Sequence, residues 1–125
     1  MYDLDYDLDF PPPAILNCAI ATTDGIYEMS DLSLEEAKKI LSGEKGFISA
    51  IGHQSTAEIL TELLGITVAV NRIQFQQLPN QTAVIFKLDS RPPEGKILSR
   101  QEIEKIGYSF KRLYRPPAGY SIAHD

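Results

Sequence analysis

The sequence predicts a single mixed α/β domain, with a five-stranded sheet and about three helices. Short apolar runs of strand length alternate with segments whose apolar residues recur at helical spacing. Three of those helical segments open on the Ser-x-x-Glu spacing of a capping box. At 125 residues and 43% hydrophobic, the chain is long enough to bury one core and too short for two. Strand pairs that are adjacent in sequence and strand pairs separated by helices together imply a mixed sheet covered mainly by helices.

The opening stretch MYDLDYDLDFPPP carries a near-repeat, YDLD-YDLD, ended by three prolines that cannot donate to a sheet or continue a helix. It reads as an acidic, flexible arm over residues 1–13, either a solvated extension or a partner-binding tail. The domain is expected over 14–115, with a C-terminal tail at 116–125. From Ala14 the run AILNCAIA is the first core strand, closed by the turn formers TTDG, and Gly25 to Met29 forms a second short strand. Ser33 and Glu36 have capping-box spacing, and Leu34, Ala37, Ile40 and Leu41 supply the apolar face of a helix over about 34–41, with Gly43 as its stop.

In FISAIGHQSTAEILTELLG, Ser55 and Glu58 repeat the box, Ile59, Leu60, Leu63 and Leu64 repeat the face, and Gly65 ends the helix. ITVAVNRIQFQ and TAVIFKLD then read as two strands rich in Val, Ile and Phe, joined through LPNQ as a hairpin. After SRPPEG, Ser99 and Glu102 form a third box, and YSFKRLY is the last strand before PPAG.

A formal net charge of -5 argues against a protein that coats long nucleic acid, whose affinity comes from neutralising phosphates. Any anionic ligand must be met by local donors. A single cysteine, Cys18, excludes an intrachain disulfide and a thiolate-rich metal site within one subunit. No run approaches the length of a membrane span, and the N-terminus lacks the basic-then-apolar layout of a secretory signal, so the expectation is a cytoplasmic protein.

The strongest chemical signal is IGHQST. Gly52 lets the backbone come close to a ligand, and the helix start that follows, including Gln54 and Ser55, offers unsatisfied N–H groups to a phosphate. His53 beside it is placed to protonate an oxygen leaving that phosphate, ordinary general-acid chemistry for a histidine, although a lone histidine before a helix also serves as a structural residue. Neither HExxH nor paired-histidine spacing occurs, so no metal is expected. In SRPPEGKIL, Arg91 and Glu94 stand on a loop stiffened by two prolines. Arginine matches two phosphate oxygens at once, and Glu94 can align a sugar hydroxyl, accept its proton or hold Arg91; a surface ion pair is the competing reading. Arg72, in VAVNRIQF, is a charge in an otherwise apolar strand, suited to a phosphate, an adenine edge or water. Asn17, inside AILNCAI, is a polar group bonded within the core or placed at a strand end to meet a ligand.

Taken in order, SAIGHQST, NRIQF, RPPEGKIL and the EIEKIGY helix are similar to a family of small proteins of archaeal viruses, phages and bacterial mobile elements, some of which are type III anti-CRISPR ring nucleases. The likeness runs from about Ala14 to Arg115. It implies a homodimer that binds cyclic tetra-adenylate between subunits and cuts it without a cofactor. The histidine matching His53 protonates the leaving oxygen while a ribose 2′-hydroxyl attacks, giving short linear adenylates ending in a 2′,3′-cyclic phosphate. Arg91 and Glu94 match active-site positions, and Asn17 and Arg72 match positions near the ligand. Some viral members carry a serine shortly after the asparagine. Here the stretch is CAIATT, with Thr22 or Thr23 as the substitute.

Such an enzyme is compatible with the inventory, because a tethered 2′-hydroxyl needs mainly in-line positioning. Two other classes compete: a protein that sequesters a cyclic nucleotide without cutting it, and a dimeric DNA-binding regulator, which the negative charge disfavours.

Overall fold

A computed structural model describes residues 10–19, 23–93, 95 and 97–117; the acidic repeat, Thr22, Glu94 and the end of the tail lie outside the described residues. Strands β1 (Ala14–Leu16), β2 (Glu28–Leu32), β3 (Ile48–Ser49), β4 (Thr82–Leu88) and β5 (Tyr108–Tyr114) alternate with helices α1 (Leu34–Leu41), α2 (Gln54–Leu64) and α3 (Arg100–Ile106). They form one mixed sheet in the order β2-β5-β4-β1-β3. β1 is parallel to β3 and to β4, whereas β4–β5 and β5–β2 are antiparallel. The mixed α/β architecture is therefore as predicted.

The two faces of this sheet are covered differently. Successive strand residues point to opposite sides, so Val84 and Phe86 face one way and Ala83 and Ile85 the other. Ile15, Val84, Phe86 and Phe110 pack against Ala37, Leu41, Leu60, Leu63 and Ile103 from the three helices. Phe86 and Phe110 stack with ring centroids 5.3 Å apart, and Tyr108 meets Phe110 edge-on at 5.9 Å. On the opposite face Ala14, Leu16, Ala83, Ile85 and Leu113 form a smaller cluster with Phe75 and no helix.

Helix boundaries follow their local chemistry. Glu36 N–H donates to the Ser33 hydroxyl and Ser33 N–H to the Glu36 carboxylate, at 3.0 and 2.8 Å, and the pair Ser99/Glu102 does the same for α3. Gly65, left-handed at φ 72°, closes α2 as expected. The expected Ser55/Glu58 box does not form. Helix α2 starts two residues earlier, at Gln54 with His53 as N-cap, and Glu58 instead accepts from the Gln54 side chain at 3.0 Å.

The expected hairpin of ITVAVNRIQFQ with TAVIFKLD is also absent. β4 has no free edge to offer, because β1 occupies one side and β5 the other. Residues 66–76 run without regular strand pairing. They are held instead by individual bonds: Val68 N–H to the Thr61 hydroxyl at 2.9 Å, the Ser49 hydroxyl to Ala69 O at 2.6 Å, and Asn71 N–H to Ile51 O at 2.8 Å. Phe75 then packs on the helix-free face, and the buried Gln77 amide donates to Gln81 O and Leu113 O, each at 2.8 Å. The fifth strand comes from Ile48–Ser49, read in the sequence as part of the approach to the helix. It pairs because Ile48 N–H reaches Pro13 O at 2.8 Å and Ala50 N–H reaches Ile15 O at 3.0 Å. β2 begins at Glu28, three residues later than expected, in register with β5 from Glu28↔Tyr114 to Leu32↔Phe110.

Candidate functional site

Because β3, β1 and β4 are parallel, the chain leaves all three at the same end of the sheet. Segment 50–53, Asn17 and residues 89–91 therefore emerge together. Open α/β sheets hold ligands in the crevice beyond the carboxyl ends of such strands, where a central strand has parallel neighbours on both sides. A cavity of about 360 Å³ lies there, lined by Asn17, Thr56, Lys87, Ser90, Arg91 and Pro92 among others. Among the described residues lining it are two cations and no carboxylate, against a net charge of -5 for the chain. Its local sign is opposite to that of the whole molecule and suits an anion.

The sequence-predicted residues fall into two adjoining groups. Asn17, the residue after β1, and Arg91, beyond the end of β4, share the cavity with Thr56 from the first turn of α2. His53 stands at the start of the same helix. Its backbone is extended (φ −128°, ψ 136°), its side chain is exposed and forms no capping bond, and its carbonyl accepts from Ala57 N–H at 3.1 Å. His53 does not itself line the cavity; Thr56, three residues on, does.

The corner that carries His53 is fixed from below and from the side. Ile51 is fully buried, and its carbonyl accepts from Asn71 N–H. The Asn71 side-chain amide donates to Ser49 O at 2.7 Å, and Arg72 Nε donates to Gly52 O at 2.8 Å. Arg72 was expected inside a strand with its charge directed at ligand or water. It lies in the non-strand segment and braces the backbone immediately before His53. Gly52 has no left-handed conformation, and a Cβ there would meet Arg72 Cγ at an ordinary 3.6 Å, so the protein's own packing does not demand glycine.

Gln54 and Ser55 are exposed at the first two positions of α2. The Gln54 amide is directed along the helix to Glu58, and the Ser55 hydroxyl caps nothing. Of the two threonines considered after Asn17, Thr23 exchanges a 3.0 Å hydrogen bond with the Tyr27 hydroxyl, and Thr22 lies outside the described residues, as does Glu94. The sequence reading missed Thr56, Ser90 and Lys87. The signal for Lys87 was present: a charge at the sixth position of TAVIFKL, in phase with Ala83 and Ile85. Among the described residues no group of three His, Cys, Asp or Glu side chains could hold a metal ion. No helix of the described chain is long and apolar enough to cross a membrane.

Comparison with known proteins adds lineage to this geometry. The family model described as STIV B116-like matches residues 13–110. The uncharacterised protein YddF of Bacillus subtilis is 39% identical over 103 residues, covering 82% of this chain and 95% of the relative. ORF117 of Acidianus two-tailed virus is 37% identical over 91 residues, 71% of this chain and 78% of its own length. Protein 26 of Sulfolobus islandicus filamentous virus is 36% identical over 85 residues, 67% and 71% of the two chains. Among solved structures, B116 of Sulfolobus turreted icosahedral virus superposes with a TM-score of 0.72 at 23% identity, covering 82% of this chain and 97% of that one, which bears out the fold.

Proposed function

This chain belongs to the STIV B116-like family, and on that premise, together with the anion-suited end of its sheet, we propose that it is a ring nuclease that opens cyclic tetra-adenylate. The observation that carries the reading is the cavity with Lys87 and Arg91 at the start of the helix whose N-cap, His53, has an exposed side chain that makes no capping bond. Helix N–H groups and a guanidinium stabilise a phosphodiester and the extra charge that develops on it under attack. The nucleophile is the ligand's own 2′-hydroxyl, tethered beside its phosphorus. The 2′-oxygen bonds to phosphorus, the bond to the departing 5′-oxygen breaks, and the His53 imidazolium gives that oxygen its proton. The 2′-hydroxyl proton passes to Glu94 or to water, and the product is a linear adenylate with a 2′,3′-cyclic phosphate end. No metal or cofactor takes part in these steps.

In this reading the protein acts as a homodimer, two copies meeting the ring's internal symmetry with one site each. The helix-free sheet face, where Met29 is 52% exposed, supports contact with a second copy. The biological role is to block or end type III CRISPR signalling in a prokaryotic or virus-infected cytoplasm.

The test is incubation of the purified protein with cyclic tetra-adenylate in excess EDTA beside His53→Ala. Linear product is expected from the first, with turnover at least about a hundredfold lower in the variant while binding persists. Undiminished cleavage by His53→Ala would remove the mechanism. A second reading, sequestration of the ring without turnover, is favoured by one observation: His53 is not among the residues lining the cavity. It predicts that chromatography after incubation returns an intact ring.

A further inference from the structure

The negative charge of this chain is not spread evenly along it. Residues 1–9 contain Asp3, Asp5, Asp7 and Asp9 and no basic side chain, so four of the five net negative charges lie ahead of Phe10. All 12 basic side chains and the other 13 of the 17 acidic ones belong to residues 10–125, which are left at -1. The body that holds the anion-suited cavity is therefore close to neutral, and its own total charge does little to turn a long polyanion away. The acidic arm joins this body at a fixed point. Lys45 Nζ donates to Phe10 O, Gln81 Nε2 to Pro12 O at 2.7 Å and Ile48 N–H to Pro13 O at 2.8 Å, and the prolines restrict the backbone between these bonds. The nine residues ahead of Phe10 span at most about 30 Å, which is also about the diameter of a small domain.

We propose that the acidic arm is a length filter, whose four carboxylates repel polyanions that extend beyond the anion site and spare ligands that fit within it. The inference rests on the anion reading of that site given above, and not on whether His53 cuts the ligand. A short ligand is held by local donors at contact distance, where salt and distant charge matter little. A long strand must lay its remaining phosphates along the surface of the body, within the span of the arm. One carboxylate at every second residue is one per about 7 Å of extended chain, so the arm is itself a short polyanion. Each carboxylate–phosphate pair is weak in water, but four carboxylates against several phosphates add up. The repulsion decays over the Debye length, about 10 Å at 0.1 M salt, and so acts at ordinary ionic strength and fades in concentrated salt.

The experiment uses the full chain throughout, with His53→Ala in every form so that no ligand is consumed. One form carries Asp3→Asn, Asp5→Asn, Asp7→Asn and Asp9→Asn together, and another carries Glu at the same four positions, which keeps the charge. Affinities for cyclic tetra-adenylate and for single-stranded poly(A) of about forty nucleotides are measured by fluorescence anisotropy across salt concentrations. At about 50 mM salt the Asn form is expected to bind poly(A) at least about tenfold more tightly than the parent, the gap closing as the Debye length falls to about 3 Å near 1 M. The Glu form should match the parent. Ring affinity at a given salt concentration should differ by less than about twofold among the three forms, as contact-range binding requires.

Ring binding by all three forms, with poly(A) affinity absent or unchanged in the Asn form, overturns the filter and leaves the nuclease reading standing. A poly(A) gain that persists near 1 M salt, or one that the Glu form shares, overturns it as well, because charge is then not the cause. So does a ring affinity that rises as much as the poly(A) affinity, since the arm then competes for the cavity itself. If the Asn form gains poly(A) while none of the three binds the ring, the filter stands and the ring reading falls.

Discussion

His53 has an extended backbone, an exposed imidazole and no side-chain capping bond, so its removal should subtract chemistry without subtracting support. His53→Ala is expected to unfold within about 0.5 kcal/mol of the parent in urea, as surface substitutions do, while losing turnover. Arg72 has a different part. Its Nε bond to Gly52 O holds the peptide that precedes His53, and deleting a bond of this kind costs about 1 kcal/mol. If that bond positions the imidazole, Arg72→Ala should reduce kcat about tenfold with little change in KM and accelerate amide exchange at residues 51–54. A KM effect alone would point to direct ligand contact.

The His53 corner was legible because glycine, histidine and a helix start are contiguous in sequence. Thr56 was not, and Lys87 showed only as a charge in an apolar strand, since their place in the cavity depends on β4 lying beside β1, a pairing between residues nearly seventy positions apart. The strand expected at Arg72 is absent for a reason of the same kind: the bond that holds it runs to Gly52 O, twenty positions away and invisible to local pattern.

At the level of elements, capping chemistry gives a sharp contrast among three serines with the same spacing. Ser33→Ala and Ser99→Ala should each cost about 1 kcal/mol, because each removes a formed box, whereas Ser55→Ala should cost almost nothing. Equal losses at all three positions in denaturant titrations would contradict the observed start of α2. The box at Ser33 also carries a pH signature. Bonding to the Ser33 backbone N–H, and then to its side chain, holds the Glu36 carboxyl below its ordinary 4.5. A depressed acid contributes fully above its unfolded value and loses that contribution as pH falls through the folded one, so the penalty for Glu36→Gln, which removes the carboxylate itself, should shrink in titrations taken below pH 4.5.

Gly107 is the other element boundary with a steric reason. At φ 88° and ψ 149° it joins α3 to β5 in a region open to glycine, and an added Cβ would come within 2.3 Å of Asp89 Oδ2. Gly107→Ala should destabilise by about 2 kcal/mol in urea unfolding. Helices were legible at this scale because boxes and apolar spacing are local. The segment 66–76 was not, because its alternation suits a strand equally well, and only the occupancy of both edges of β4 excludes it from the sheet.

For the molecule as a whole, the three helices and four of the five strands followed from pattern, with β3 taking the place of the strand expected at 66–76, while the order β2-β5-β4-β1-β3 did not, since it depends on which edges are taken first. The order matters more than the number. It gathers the ends of β1, β3 and β4 at one rim, where the local charge reverses the sign of the whole. Formal charge therefore misleads about small anions and informs only about long ones. Duplex DNA retardation is expected to vanish near physiological salt, measured by gel shift across ionic strength, whereas a small oligoadenylate should still bind.

One inner strand of the sheet, β1, is only three residues long, yet both its neighbours arrive later along the chain, the longer of them beginning at Thr82. A nascent polypeptide that has emerged only as far as α2 holds one side of its core with nothing to rest it on. Folding on the ribosome must therefore wait until β4 clears the exit tunnel, and a gene fragment ending at Leu64 should yield a product that chaperones retain or proteases remove.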